Sequence, residues 1–524
     1  MRKITPLLLA ATLFLPAACV DDKGNYSYSD IDPIAIAMDT AFTGIVGEPL
    51  TVRPTLSAAH LDTAACDFDW QAISTTADTA THLSADRALD YTVRLAPGEY
   101  RLVFTARRSG SATFSRQSAA LSVRTPLSSG WLVLCDDGGR ARLDMYSFIK
   151  EKTYTDLLSG TVPGTWQTPY AIACLPNANV SETPFYLLTA DGTTRLSDVD
   201  FAWRDAYRLS YEMGSSADAG IRPDAIAENG PGKLVIAGGK PYYCDNTMGD
   251  GLFASARRNS FDVAPAVGYD ALSDHMAPAF LMYDTTNRRF VVCAALFSST
   301  DVLGTAVAGD IALSTLGSFY QFPVGNASAF DLPAAGRYSL VHMENTRYAP
   351  LGDDHGTTYA ILADGDERRL YGFAMGDLVA IRYPDKYGYA YAKVITRDLS
   401  ACPSITHATH FAFSSLRNCM YYVADGSVYR ADLTAETPTV SKQFDLPAGE
   451  RVSCFKFCLP TQSANARRAY DLLVGTVDAD GHGTLRIYDG WIAEGDFSGA
   501  QPTSVLTGFA TIKDVLLREV ITEY

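Results

Sequence analysis

Arginine, histidine and aromatic residues recur just ahead of a series of apolar runs in the second half of this chain. They are Trp166, Gln167 and Tyr170, then Arg222 and Asp224, Arg337 and Tyr338, His407 and His410, and Arg451. Three arginines and a histidine at equivalent places in repeated units would form a basic ring able to hold carboxylates or other anions. Trp166, Tyr170 and Tyr338 would stack on sugar rings. The competing reading is structural, because an arginine at a strand end commonly pairs with a neighbouring acid such as Asp224.

Sharper catalytic patterns do not appear. His407-Ala-Thr-His410 has the look of a metal pair, but residues three apart on a strand point to opposite faces, so a solitary channel histidine is the better expectation. Asp245 and Asp250 flank a stretch that evokes a calcium loop without its twelve-residue pattern or final Glu. Gly481-His482-Gly483 belongs to a turn, where glycine serves the backbone. There is no G-x-S-x-G elbow, Walker loop or H-E-x-x-H. With 59 acidic residues, a carboxylate pair for glycoside cleavage cannot be chosen from sequence. No catalytic residue, metal or cofactor is therefore assigned.

The elements that would position these residues are β-hairpins. Residues 418–433, NCMYYVADGSVYRADL, run from an apolar strand through Asp425-Gly426 into a second alternating strand. Similar phrases occur at 131–146, 185–199, 233–243, 280–294, 358–374 and 471–490. Successive starts lie about 47 to 78 residues apart, close to the period of a β-propeller with four strands per blade. Seven blades is the count this gives, with six or eight as alternatives, because the gap from 294 to 358 leaves room for an insertion or a weak repeat.

Ahead of most hairpins lies a further strand-like run: 170–176, 223–229, 338–344, 407–414 and 452–460. These would be the innermost strands, facing a central channel, and the chemistry-bearing residues above stand where the chain comes into them. For the hairpin 280–294, AFLMY itself is the candidate inner strand. The hairpin at 131–146 lacks one, whereas GFATIKDVLLREVITEY (508–524) has strand character and no hairpin. Residues of about 508–520 are therefore expected to close the ring on the blade of 131–146.

Residues 32–125 keep a different rhythm, six or seven short strands between turns, which suits an immunoglobulin-like β-sandwich. Trp70 falls mid-strand and Tyr100 follows the turn Ala96-Pro97-Gly98-Glu99; a buried core role is expected for both. Residues 126–130 form a Pro/Ser/Gly linker, and 131–524 the propeller. The expected fold class is thus all-β.

Bulk properties limit the partners. A formal net charge of −16 repels phosphate backbones, which argues against nucleic acid. Beyond the first twenty residues no stretch approaches the roughly 20 apolar residues of a membrane span. Arg2 and Lys3, the apolar run Leu7 to Leu15 and the small residues before Cys19 describe a signal peptide over 1–18, with Cys19 lipidated and 19–31 a polar tether. Pro16 departs from the usual lipoprotein pattern. Acyl chains on Cys19 would anchor the protein to a membrane without a spanning helix. The remaining cysteines sit mostly in apolar runs and read as buried thiols; a Cys402–Cys419 bridge is the one pairing left open.

Together the Cys19 tail VDDKGNYSYSDI, Trp70, the Ala96–Tyr100 turn and the GWLVLCDDGG junction resemble the PKD-like family lipoproteins of anaerobic gut bacteria. The resemblance implies an outer-membrane protein facing the exterior, an accessory to a nutrient importer of the starch-utilisation type and its lid lipoprotein. It carries over no catalytic residue. The function expected is capture of a glycan or peptide nutrient at the channel mouth without catalysis. The alternatives are a propeller-based hydrolase or lyase, and a scaffold for importer subunits.

Overall fold

The structure is a computed structural model that describes residues 33–59, 66–110, 112–160, 166–175, 185–216, 219–230, 232–245, 252–253, 261–270, 279–294, 312–315, 336–349, 355–383, 386–460 and 463–519. Cys19, the segment 1–31 and Asp250 lie outside these. The chain divides into two compact units, 1–123 and 124–524.

In the first unit a five-stranded sheet runs, edge to edge, Ala41–Ile45, Phe114–Arg124, Gly98–Arg108, Cys66–Ser74 and Ala80–Ser84, the last four strands pairing antiparallel. Two short ladders pair Ala35–Ala37 with Thr55–Ser57, and Pro49–Val52 with Leu89–Thr92. Trp70 is fully buried, its ring centroid 4.4 Å from that of Phe104 and its indole N–H donating to the Asp86 carbonyl at 3.0 Å. That bond removes the cost of burying the indole N–H. Tyr100 donates its hydroxyl to the Ala96 carbonyl at 2.9 Å and so ties down the turn before its own strand.

The second unit holds, among the described residues, seven small antiparallel sheets in chain order. The hairpin Cys419–Ala424 and Ser427–Asp432 shows how the sequence builds them. Asp425 and Gly426 take φ of 50° and 76°, the two left-handed positions of a two-residue turn whose twist matches the strands. Each apolar run is buried on both faces, and alternate residues feed different neighbours. Leu132 and Leu134 join Phe185 and Leu187 in a core between the first and second sheets, whereas Trp131, Val133 and Cys135 join Leu473 and Leu485 between the seventh and first. Equivalent cores lie between the second and third sheets, and then in turn up to the sixth and seventh.

The core between the seventh and first sheets exists because the last strand of this unit returns to its first. Thr511–Arg518 pairs antiparallel with Gly130–Asp137, taking the inner place in the first sheet, while Ser504–Phe509 is the outer strand of the seventh. Gly130 admits no side chain here, since a Cβ would lie 2.0 Å from the Tyr146 carbonyl oxygen. The other inner strands are Pro169–Cys174, Ala225–Asn229, Ser339–Thr346, His410–Phe413 and Arg451–Phe457.

Three expectations need correction. AFLMY is not the inner strand of the fourth sheet: Ala279–Asp284 is flanked on its other side by residues 263–268, joined to it by the bridges Val263–Asp284 and Gly268–Leu281. Pro265 has no N–H to give, which explains why these residues bridge without forming a continuous ladder. His407 is not on a strand; it ends a 3-10 turn, Ile405–His407, and the strand begins at His410. Cys402 and Cys419 are both free and buried, so no bridge joins them. The long gap before residue 358 contains the strands Ala312–Thr315 and Ser339–Thr346 of the fourth and fifth sheets.

Candidate functional site

Each inner strand runs antiparallel to the second strand of its sheet, so its leading end lies beside the turn between the second and third strands. The register makes this explicit, with Ser339 opposite Ala363, Arg451 opposite Val477 and His410 opposite Val423. The residues singled out from sequence occupy this leading end in their respective sheets, and most of them are engaged by the adjacent turn.

Arg337 donates through Nε to Asp364 at 2.8 Å and through Nη2 to Glu367 at 2.6 Å, and its guanidinium lies 4.6 Å over the Tyr338 ring. Tyr338 is buried and donates its hydroxyl to the second Glu367 oxygen at 2.9 Å. Arg369, first among the groups around it, holds the Glu367 carboxyl below its usual range. His407 is 70% exposed with Nδ1 3.5 Å from Asp425. Asp224 accepts the Gly238 N–H at 3.0 Å, and the Gln167 N–H donates to Asp191 at 2.8 Å. Trp166 leans on the core between the first and second sheets, Tyr170 is 40% exposed, and Arg222 and Arg451 are exposed. Among the described residues no hydrogen bond or ion pair joins members of this set from different sheets. The arginine at 337 follows the structural alternative, its charge met by two carboxylates of its own sheet.

A cavity of about 490 Å³ lies between the fourth and fifth sheets, lined from Ser339 onward along the fifth sheet's inner strand. Its walls are Ala264, Pro265 and Ala266 on the fourth-sheet side and Leu340, Val341 and Met343 on the fifth. The Tyr283 hydroxyl donates to the Tyr338 carbonyl at 2.6 Å, and Thr285 to the Asp262 carbonyl at 3.1 Å. His342 also faces the cavity, its Nε2 2.6 Å from Glu344, and its ring stacks near Phe411 and Phe413 of the sixth sheet. Burial, and secondarily His342, depress the pKa of His410. None of His342, Glu344 or the 263–268 wall was chosen from sequence. The first two lie on a recognised inner strand, so its inward-facing residues were the available signal.

The trailing ends of the inner strands hold a second polar set. Lys456 donates to Asp514 at 2.9 Å, and the other Asp514 oxygen accepts the Ile172 N–H at 3.1 Å. One ion pair thus links the inner strands of the seventh, first and second sheets. Burial works against the Lys456 charge, but the Asp514 carboxylate more than offsets it and the ammonium titrates above its usual range. Arg518 is buried, reaches the Asp198 carbonyl and lies 4.9 Å over Phe185, tying the closing strand to the second sheet. Between the second and third sheets, Glu212 meets Arg195 at 3.0 Å, buried Lys233 at 3.4 Å and the Tyr186 hydroxyl at 2.9 Å. These groups read as internal fastenings.

At the turn of the seventh sheet, one ligand-type atom each of Asp478, Asp480 and His482 lies within 4.8 Å of the others. Asp478 accepts the N–H groups of Asp480 at 2.9 Å and His482 at 2.8 Å, so its carboxylate shapes the turn.

A sequence profile described as the PKD-like family matches residues 19–165, from Cys19 through the first unit and the first hairpin of the second. No match was found among curated proteins. Among solved structures, the chain is similar to a quinonprotein alcohol dehydrogenase-like protein from Bacteroides thetaiotaomicron, at 13% identity and a TM-score of 0.44, covering 91% of this chain and 96% of that one. It is also similar to a chain of a yeast heterotrimeric nucleoporin complex, at 8% identity and a TM-score of 0.37, covering 68% and 96%. These likenesses concern the fold and say nothing of activity.

Proposed function

We propose that this chain is a lipid-anchored accessory protein of an outer-membrane nutrient-uptake system, which holds a glycan or peptide without transforming it. In this reading acyl chains on Cys19 anchor the protein at the cell exterior, and the N-terminal sandwich spaces the second unit from the membrane. The seven sheets act as blades around a channel, with the importer and its lid lipoprotein as partners. The observation that carries the binding role is the cavity of about 490 Å³ at the leading end of the fifth sheet's inner strand, within the size range of small-molecule sites. The profile match that begins at residue 19 supports a mature chain starting there.

The test is a calorimetric screen of the mature chain against glycans and peptides, with chromatographic analysis of products. Saturable binding without product fits the proposal, whereas product formation would make the protein an enzyme. Cys19→Ser should abolish incorporation of labelled palmitate and release the protein from membranes.

A second reading, a scaffold that only touches importer subunits, is favoured by one surface feature. Trp491 and Ile492 are 50% and 70% exposed on a turn of the seventh sheet. That turn is held by Asp489, whose Oδ1 accepts both of their N–H groups at 2.9 and 3.0 Å, and Tyr470 stacks on the indole. An exposed Trp-Ile pair on a fixed turn has the composition of an interface anchor. A silent binding screen together with co-purification that Trp491→Ala abolishes would favour it.

A further inference from the structure

We infer that the cavity between the fourth and fifth sheets accepts an aliphatic side chain of a peptide rather than a sugar ring. This inference rests on the proposed binding role of that same cavity and names its ligand class.

A sugar-binding site needs hydrogen-bonding groups for hydroxyls and usually an open aromatic face for the apolar side of the ring. The cavity is poor in both. The Tyr283 hydroxyl is spent on Tyr338, the Thr285 hydroxyl on Asp262, and His342 Nε2 on Glu344. The Tyr283 ring is fully buried in the core shared by the two sheets and offers no face. Apart from the Ser339 hydroxyl and the second ring nitrogen of His342, the rest of the lining is alkyl or thioether surface: Ala264, Pro265 and Ala266 opposite Leu340, Val341 and the deformable Met343. Val341 is 42% exposed, an apolar group left uncovered at this wall.

The reason the gap exists lies in the chain itself. Pro265 keeps residues 263–268 from forming a regular inner strand, and two small alanines flank it, so this wall stands back where a fuller strand would occupy the space. Filling such a site with a branched or thioether side chain removes apolar surface from water on both partners. A polar side chain gains nothing there and leaves its own groups unpaired.

The test titrates the mature full chain by calorimetry with three probes, the tripeptides Ala-Leu-Ala and Ala-Ser-Ala and the trisaccharide maltotriose. The leucine peptide should bind at least about tenfold more tightly than the serine peptide, as expected for burying one such side chain. Val341→Trp, which fills the cavity from its exposed wall, should weaken the leucine peptide by at least about tenfold while Val505→Ala, on the exposed outer strand of the seventh sheet, leaves it unchanged. Ala266→Leu supplies an independent filling variant, and circular dichroism establishes that each variant folds. Equal affinity for the two peptides, or affinity untouched by both filling variants, would overturn the inference. Binding of maltotriose alone would overturn it and leave the nutrient-binding role standing. Failure of every probe, here and in the wider screen, would remove both.

Discussion

Replacing Asp471 by Asn should stabilise this protein at neutral pH, and the gain should vanish in mild acid. Asp471 opens the second strand of the seventh sheet with only 7% of its surface exposed, and it stands opposite another acid, Asp489, across the ladder. Burial first, and the Asp489 charge after it, push its pKa from 3.8 up to about 6, although Arg468 at 3.2 Å pulls the other way. At about 1.4 kcal/mol per pK unit, that rise corresponds to about 3 kcal/mol of folding free energy lost when the carboxyl ionises. The sign follows from linkage. Below 3.8 the group is protonated in both states and costs nothing; between 3.8 and 6 the folded state alone keeps its proton, and stability falls as pH rises. Above 6 the full cost is in place. The asparagine variant carries no such cost, so its advantage should grow from near zero around pH 4 to about 3 kcal/mol at pH 7. Urea unfolding of both proteins, followed by tryptophan fluorescence across that range, reads the difference directly and cancels titrations they share. A gap that does not change with pH would refute the reasoning. So would a variant less stable at pH 7, which would mean that the Arg468 ion pair outweighs burial.

The closing strand offers a second prediction. Asp514→Ala should cost about 2–3 kcal/mol, less than a fully buried pair because 36% of the Lys456 side chain is exposed, and adding Lys456→Met should recover much of it. A double-mutant cycle on thermal unfolding measures the coupling, and a single variant as stable as the parent would remove the pair's role in closure. Burial pushes the thiols of Cys135, Cys174, Cys402 and Cys454 up to about 12, so an aromatic disulfide reagent should find them inert at pH 8 until denaturant is added. Rapid labelling of the native protein at these positions would contradict their placement.

The architecture was legible because its signals are local. A two-residue Asp-Gly turn between apolar runs specifies a hairpin whatever surrounds it, as at 425–426, and repetition at long period then specifies many sheets in place of one. The closing strand was legible by bookkeeping, since one hairpin lacked an inner partner and one terminal run lacked a hairpin; Thr511–Arg518 against Gly130–Asp137 is that pairing. The fourth sheet defeated the same logic for a physical reason. Its inner segment contains Pro265 and has no strand pattern, so in the sequence the next apolar run stands as the apparent inner strand. Outside the second sheet, two 3-10 turns over Asp205–Glu212 stand where another sheet has a strand, the bridge Thr194–Arg208 marking the spot. Such a substitution leaves no period-two pattern to find.

The leading ends of the inner strands were legible in the sequence, but the partners of the residues that stand there were not. Inner strands leave their leading residues beside the next turn, and turns are rich in Asp and Glu because those residues shape them. Arg337 therefore meets Asp364 and Glu367 one hairpin later, and His407 meets Asp425 in the same way. That outcome follows from antiparallel register alone: a charge placed at such an end meets its own sheet before it meets any other. Groups that reach across sheets must instead project from the strand toward the centre, as Lys456 does toward Asp514 and His342 toward Phe411 and Phe413. In a repeated β-architecture of this kind, residues that open strands stabilise turns, and the search for a ligand should begin at inward-facing positions and wherever an inner strand is interrupted. Here both conditions meet at one place, between Pro265 and Val341.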